Sequence, residues 1–148
     1  MNDKRILLHI CCAPCSIEVV SSLEKDGYDI FGYFYNPNIH PFKEYQERQK
    51  SVINYLDKRG YKFEIGDYDI YKYFKSIGED IHSDTRCESC YRLRLKESAR
   101  KAKELKYDTY SSTLLWNPHK DYEKISNIGK LYAKKNYLNF LFPKLTHD

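Results

Sequence analysis

Short apolar runs alternate with amphipathic segments along most of this chain. The run RILLHI near the N-terminus has no helical period, which is typical of a buried strand. In the segment SIEVVSSLEKDGY, the residues Ile17, Val20 and Leu23 share one helical face, and Gly27 is a suitable helix end. The pattern predicts further strands at DIFGYFYN, YKFEIGDY, YDTYSSTLL and YLNFLF, and further helices at residues 42–59, 71–76 and 121–135 and at or just after RCESC.

This alternation of strands and helices predicts the fold class. Crossovers between successive strands are right-handed, and they build a parallel sheet that helices cover on both faces. We therefore expect an α/β protein with about five strands and a single domain over residues 1–148. Ligands of such sheets bind beyond the carboxyl ends of the strands. The segments CCAPCS, YNPNIHP and STLLWNPH all follow predicted strands and are expected at that edge.

Length and apolar content restrict the class of protein. A chain of 148 residues is long enough for one domain with a buried core. No apolar run approaches the roughly 20 residues that span a bilayer, and MNDKRILLHI lacks the small-residue cleavage site of a signal peptide. We therefore expect no membrane association and a cytoplasmic location, where thiols stay reduced. The oligomeric state is left open.

The positive charge is concentrated in one segment. Lysine and arginine total 25 against 21 acidic residues, so the net charge at pH 7 is +4. Residues 86–106 contain eight basic and three acidic residues, an excess of five. A concentrated basic surface favours a phosphate-bearing partner. An ordinary solvated helix face remains the alternative.

The five cysteines occur in two motifs, CCAPC and CESC. An odd number cannot all pair within the chain, and reduced thiols are expected. Neighbouring side chains of a straight strand point to opposite faces, so Cys11 and Cys12 can converge only where the strand turns. Pro14 favours a turn there. A helix that begins at about Cys15 or Ser16 places its positive end near these thiols and favours thiolates.

Thiolates from two loops at one sheet edge suit a zinc ion or an iron–sulfur cluster. Adjacent cysteines fit separate corners of a four-iron cluster better than they fit one small ion, so we favour the cluster and keep zinc as the alternative. Two other interpretations remain open. Cys11 and Cys12 could simply pack in the core, or Cys87 and Cys90 could form a thioredoxin-like redox pair, which leaves CCAPC unexplained.

The segment YFYNPNIHPFKEYQER combines aromatic, amide and histidine side chains after the second predicted strand. Its Asn-Pro and His-Pro steps favour extended or turn geometry, which would present Tyr35, Asn36, Asn38 and His40 on a rigid loop. Amides and aromatic rings at a strand end can hydrogen-bond and stack a nucleobase. The alternative is a turn in which the asparagines cap the backbone and the tyrosines close the core.

Together, LLHICCAPCS, YFYNPNIHPFKEYQER, RCESCYRLRL and STLLWNPHKDYEKI resemble the epoxyqueuosine reductases of the QueH type, the cobalamin-independent class. The resemblance extends in order over about residues 7–129, and a vicinal cysteine pair with a downstream R-C-x-x-C-Y is far more specific than a lone C-x-x-C. It implies a Rossmann-like fold akin to the HUP superfamily. It also implies reduction of epoxyqueuosine to queuosine at the wobble position of tRNA.

The resemblance further implies roles for individual residues. A [4Fe-4S] cluster is expected on Cys11, Cys12, Cys87 and Cys90. A mononuclear iron is expected beside it, with Cys15 as its extra, catalytic ligand. The basic helix would contact phosphates of the anticodon stem-loop, and the aromatic loop would hold the base. The substrate-binding residues expected on this basis are Tyr35, Asn36, Asn38, His40, Arg92, Arg94, Lys96 and Arg100.

The expected reaction is a two-electron deoxygenation of an epoxide to an alkene. The sequence has no flavin or nicotinamide fingerprint, so we expect an external electron donor. One rival, an adenylating tRNA-modifying enzyme of the same superfamily, would need a loop of the S-G-G-x-D-S type where this chain has CCAPCS. The other rival is a non-catalytic, metal-stabilised tRNA-binding remnant. It is considered because the sequence lacks the D-F-R segment and the C-terminal Y-C-G-C-like pair usual in the family.

Overall fold

A computed structural model describes residues 4–78, 85–116 and 122–145 of the chain. Its strands are β1 (Arg5–His9), β2 (Asp29–Phe34), β3 (Lys62–Ile65), β4 (Thr109–Ser112) and β5 (Asn139–Phe140). Its α-helices are α1 (Ala13–Lys25), α2 (Phe42–Lys58), α3 (Ile70–Ile77), α4 (Thr85–Glu104) and α5 (Tyr122–Lys135), and a 3₁₀ helix (Thr113–Trp116) follows β4.

The five strands form one parallel sheet in the order β3-β2-β1-β4-β5. The central strand β1 pairs on one side with β2 and on the other with β4, so that Leu7 lies opposite both Phe31 and Tyr110. Strand order reverses at β1. The carboxyl ends of β1 and β4 therefore form the switch point at which open α/β sheets bind ligands.

Helices cover both faces of this sheet. Leu7 packs in a cluster with residues of α3, α4 and α5, whereas its neighbours Ile6 and Leu8 pack with residues of α1 and α2. All three side chains are fully buried, as expected for a parallel strand with both faces covered. The predicted fold class is confirmed. Within residues 4–78, 85–116 and 122–145, every helix is too short or too polar to cross a membrane.

Several element boundaries differ from the sequence-based prediction. In α1 the buried stripe follows Ser16, Val19, Val20 and Leu23, which leaves Ile17 on the side of the helix and 54% exposed. The helix α4 begins at Thr85, before CESC rather than at or after it, so both cysteines of that motif are helical. The strand β4 ends at Ser112, because the chain turns at once into the 3₁₀ helix.

Close packing of α5 on β5 gives a first testable prediction. A Cβ atom at Gly129 would lie 2.5 Å from two carbons of the Phe140 ring. Alanine is favoured over glycine in a helix by about 1 kcal/mol, but overpacking typically costs about 1–3 kcal/mol. We expect Gly129→Ala to lower the free energy of unfolding by about 1 kcal/mol in urea denaturation.

Asn127→Ala, on the exposed side of α5, is the control and should change the free energy of unfolding by at most about 0.5 kcal/mol. Equal stability of the two variants would contradict the prediction.

Candidate metal centre

Three cysteines converge where β1 ends and α1 begins. The Sγ atoms of Cys11, Cys12 and Cys15 all lie within 4.8 Å of one another, and those of Cys12 and Cys15 are 2.7 Å apart. Cys12 is the N-cap residue of α1, with extended backbone (φ −164°, ψ 161°), and Cys15 lies in the first turn. Pro14 is tolerated there because the first amides of a helix have no intrahelical partner. The change from strand to helix at Cys12 lets neighbouring side chains face one point.

The surroundings of Cys11 favour its thiolate form. Hydrogen bonds from the Cys12 and Cys15 thiols outweigh burial and hold the pKa of the Cys11 thiol well below its usual range. The Thr113 hydroxyl lies 3.2 Å from the Cys11 sulfur and accepts the Cys11 backbone N–H at 3.0 Å. Since its lone pairs receive that N–H, the hydroxyl can donate its own proton to the sulfur. The N-terminal end of α1 also favours negative charge at this point.

A buried cation acts on Cys11 through its charge. Arg94 of α4 is 4% exposed, and the guanidinium lowers the pKa of Cys11 through its charge. Its Nη1 donates to the Asn36 side-chain oxygen at a long 3.4 Å, and its Nε has no hydrogen-bond partner among the described residues. A buried charge requires compensation. The arrangement therefore suits a site that carries negative charge, such as a thiolate–metal centre.

His9 joins the ends of three strands through hydrogen bonds. Its Nδ1 lies 2.8 Å from the Ser112 hydroxyl, and its Nε2 lies 3.0 Å from the Tyr35 carbonyl oxygen. Because a carbonyl only accepts, Nε2 carries the proton and Nδ1 accepts from Ser112. Burial, followed by the charge of Arg94, lowers the pKa of His9 to about 4, so the ring is neutral at pH 7. Sequence reasoning assigned no role to His9 or Thr113, although both lie within the segments LLHICCAPCS and STLLWNPHKDYEKI that carry the resemblance.

The CESC cysteines occupy two different environments. Cys87 is exposed in the first turn of α4, whereas Cys90 is buried in the cluster that contains Cys11. Cys12 and Cys15 pack against that cluster. In the described part of the chain, the group of sulfurs within 4.8 Å of one another includes neither Cys87 nor Cys90. Cys15 lies with the vicinal pair, and its role as the extra, catalytic ligand, like the assignment of Cys87 and Cys90 as ligands, stays a prediction.

The loop after β2 places its predicted substrate residues mostly inside the protein. Asn36 is fully buried and donates to the Ile10 carbonyl oxygen at 2.9 Å, as the turn alternative expects. Tyr35 is 3% exposed. Asn38 and His40 are partly buried, and the His40 ring stacks on Phe74 with centroids 5.3 Å apart. A role for these residues in substrate binding stays a prediction.

The basic residues of α4 do not form one uniform face. Arg92 and Arg100 are exposed but ion-paired along the helix, with Glu88 at 3.1 Å and with Glu97 at 2.6 Å. Lys96 is exposed. Arg94 is the exception, because it is buried and turned toward the thiol site, which does not suit the expected phosphate contact. Among the four, Arg92, Lys96 and Arg100 remain available at the surface.

The thiols are accessible from one side of the protein. A cavity of about 400 Å³ lies beside Cys12, between the start of α1 and the helix α2, and is lined by Cys12, Ala13, Pro14, Glu44, Glu47, Arg48 and Ser51. Cys12 and Cys15 are half-buried. Reagents can therefore approach the sulfurs through this opening, while Cys11 lies behind them in the core.

The donor set fits a thiolate-bound metal. Three sulfurs meet at one point, a buried guanidinium offsets their negative charge, and thiolates bind both zinc and iron–sulfur clusters. Three sulfurs alone do not distinguish the two. The fold and this group of sulfurs define a Rossmann-like α/β protein with a candidate metal site at the switch point of its sheet.

Comparison with known proteins shows the family to which the chain belongs. The family model "Epoxyqueuosine reductase QueH" matches residues 6–147, and the chain belongs to this family. It is 37% identical to the epoxyqueuosine reductase QueH of Histophilus somni over 90% of this chain and 56% of that protein. It is 32% identical to that of Thermotoga maritima over 93% of this chain and 72% of that protein.

The fold has parallels among solved structures at much lower identity. The U34-tRNA thiolase NcsA from Methanococcus maripaludis, solved with its [4Fe-4S] cluster, superimposes with a TM-score of 0.62 at 14% identity. The match covers 95% of this chain and 52% of the thiolase chain. The Rossmann-like architecture is thus shared with a tRNA-modifying enzyme. The chain spans a little over half the length of the Histophilus relative.

Proposed function

We propose that this chain reduces epoxyqueuosine to queuosine at the wobble position of tRNA, in the cytoplasm, with an iron–sulfur cluster and an external electron donor. The observation that carries the proposal is the group of three cysteine sulfurs at the switch point of the sheet. Membership of the QueH family supports it, since the relatives are named for this activity. The reaction takes two electrons and two protons, and converts the epoxide to an alkene and water.

The residues of the chain have distinct roles in this proposal. Cys11, Cys12 and Cys15 would hold the metal, with Cys90 and Cys87 as the further expected ligands. A bound cluster would supply electrons one at a time, and an iron with an open position would act as a Lewis acid. Arg94 offsets the charge of the sulfurs, as its buried position beside Cys11 indicates.

Two further features of the chain serve the same site. Neutral His9 holds the ends of β1, β2 and β4 in register through Ser112 and Tyr35. The exposed cations Arg92, Lys96 and Arg100 on α4 would contact phosphates of the anticodon stem-loop, an interaction that high salt weakens.

A single-turnover assay tests the proposal. The full chain, reconstituted with iron and sulfide without oxygen and then reduced, should convert tRNA that contains epoxyqueuosine to tRNA that contains queuosine. Digestion of the tRNA to nucleosides and mass spectrometry measure the product. Tight tRNA binding with a reduced cluster and no loss of epoxide would instead favour the non-catalytic tRNA-binding alternative. Thermal protection by ATP would favour the adenylating alternative.

A further inference from the structure

A second cavity lies at the carboxyl ends of β2 and β3. Its volume is about 310 Å³, near the lower end of the ~300–1,000 Å³ typical of ligand pockets. Its walls come from the end of β2, the segment after β3, the first turn of α3 and the middle of α4. The residues that matter here are Tyr33, Tyr35, Glu64, Asp67, Glu97 and Arg100.

The Tyr35 hydroxyl is the feature that points to a ligand. Tyr35 lines the cavity and is 3% exposed, yet its hydroxyl has no hydrogen-bond partner within the described residues. Buried hydroxyls in folded proteins are nearly always paired, because the lost hydrogen bonds to water are unfavourable. Burial, and then the charges of Glu97 and Asp69, raise the pKa of Tyr35 to about 12. The hydroxyl therefore stays protonated and can donate or accept.

Other polar side chains that line the cavity already have hydrogen-bond or ion-pair partners. The Tyr33 hydroxyl donates to Glu97 at 2.6 Å, and Arg100 binds both oxygens of the same carboxylate at 2.6 and 2.9 Å. Burial alone would raise the pKa of Glu97, but these two partners outweigh it and lower that pKa. Lys101 is paired with Glu64 at 2.6 Å. Among the described residues that line the cavity, the Tyr35 hydroxyl is therefore the buried side-chain group without a hydrogen-bond partner.

The charged residues that line the cavity determine which kind of ligand suits it. Four carboxylates (Glu64, Asp67, Asp69 and Glu97) oppose three cations (Lys72, Arg100 and Lys101). Two of the cations are ion-paired with Glu97 and Glu64, so little positive charge remains for an anion. A phosphate is therefore a poor match. A neutral or cationic group that donates hydrogen bonds is a good one.

The cavity and the thiol site share a strand end. The Tyr35 carbonyl accepts from His9, and Asn36 donates to the Ile10 carbonyl, so the cavity wall is fixed to the residues that precede Cys11. Gly66 allows the wall to form, because a Cβ atom there would lie 2.8 Å from both the Tyr33 hydroxyl and a Tyr35 ring carbon. One wall of the cavity is therefore joined by hydrogen bonds to the strand that leads into the thiol site.

We propose that this cavity binds a neutral or cationic, hydrogen-bond-donating group of the substrate nucleoside, with the Tyr35 hydroxyl as its direct partner. The proposal rests on the proposed function. Two parts of the nucleoside carry hydrogen-bond donors of this kind: the edge of the base itself and the epoxide-bearing substituent attached to it.

Binding of two tRNAs to the reconstituted full chain tests the proposal. One tRNA carries epoxyqueuosine at the wobble position, and the other carries unmodified guanine. Tyr35→Phe removes the hydroxyl and keeps the ring, and should raise the dissociation constant about three- to tenfold. A rise for both tRNAs assigns the partner to the base edge, and a rise for the modified tRNA alone assigns it to the substituent. The melting temperature should be unchanged or higher, because an unpaired buried hydroxyl is removed.

Tyr110→Phe is the matched control. The Tyr110 hydroxyl is buried and donates to the Gly129 carbonyl at 2.7 Å, so its removal should lower the melting temperature and leave tRNA binding unchanged. Unchanged dissociation constants for both tRNAs in Tyr35→Phe, or a melting temperature lowered as in Tyr110→Phe, would overturn the proposal. Turnover by the wild-type chain is measured separately. An active wild type with normal binding by Tyr35→Phe therefore refutes this inference alone.

Discussion

Replacing Cys11 with alanine should remove most of the metal that the protein retains after reconstitution. Cys11 is the buried member of the sulfur group, and Cys12, Cys15 and Thr113 lower the pKa of its thiol. Loss of a ligand from a three-sulfur group leaves two donors, which bind far more weakly. We expect at least about a tenfold drop in iron and sulfide per chain after anaerobic gel filtration, and a similar drop when zinc is the only metal supplied.

The other cysteines provide the comparison set. Cys12→Ala and Cys15→Ala should lose metal in the same way, because their sulfurs lie within the same 4.8 Å group. Cys87→Ala tests the sequence-based assignment at an exposed position. Metal loss in that variant supports Cys87 as a ligand, and wild-type content refutes it. Wild-type metal content in Cys11→Ala would refute the proposed centre as a whole.

Replacing Arg94 with methionine should weaken metal binding about tenfold, or ~1.4 kcal/mol. Methionine keeps most of the side-chain volume and removes the charge that offsets the thiolates. The metal-free protein should behave in the opposite way. Within the described residues, its buried Arg94 donates one long hydrogen bond and its Nε has no hydrogen-bond partner, so removal of the charge should leave the melting temperature of the metal-free chain unchanged or higher. Chelator competition for zinc and thermal denaturation measure the two effects.

Arg92→Met is the control for Arg94. Arg92 lies on the same helix, but it is exposed and paired with Glu88, and a surface pair of this kind contributes about 0–1 kcal/mol. It should change neither zinc affinity nor the melting temperature of the metal-free chain appreciably. If both arginine variants weakened zinc binding equally, a general effect of net charge would explain the result and a specific role for Arg94 would be excluded.

The fold was largely predictable from sequence because its strands and helices carry strong periodic signals. RILLHI is buried on both faces, as a central parallel strand must be, and CCAPC lies beyond its carboxyl end as expected. Element ends were less predictable. Ile17 is apolar, but the stripe that packs on the sheet runs through Val19 instead, and which face of a helix is buried depends on its neighbours.

The candidate site was predictable in its residue types and less so in its grouping. Cysteine motifs identified the sulfurs, and the prediction assigned Cys11 and Cys12 to a cluster and Cys15 to an adjacent iron without stating how close the three sulfurs lie. The structure joins them, because the strand ends and α1 begins within four residues. Arg94 was expected at the surface as one of several basic residues of α4. Its charge favoured the surface, although it lies one helical turn after Tyr91 and one before Ser98, both of which are buried.

The sequence by itself determined the α/β order of elements, the supply of thiols at a strand end and the resemblance to the QueH family. These properties follow from local periodicity and from motifs of adjacent residues, which need no knowledge of distant contacts. Only the tertiary structure decided that Thr113 contacts Cys11, that the charge of Arg94 acts on Cys11, and that Tyr35 lines a polar cavity with residues of α4. Those contacts join residues about 60 to 100 positions apart along the chain, and the parallel order of β2, β1 and β4 brings them together.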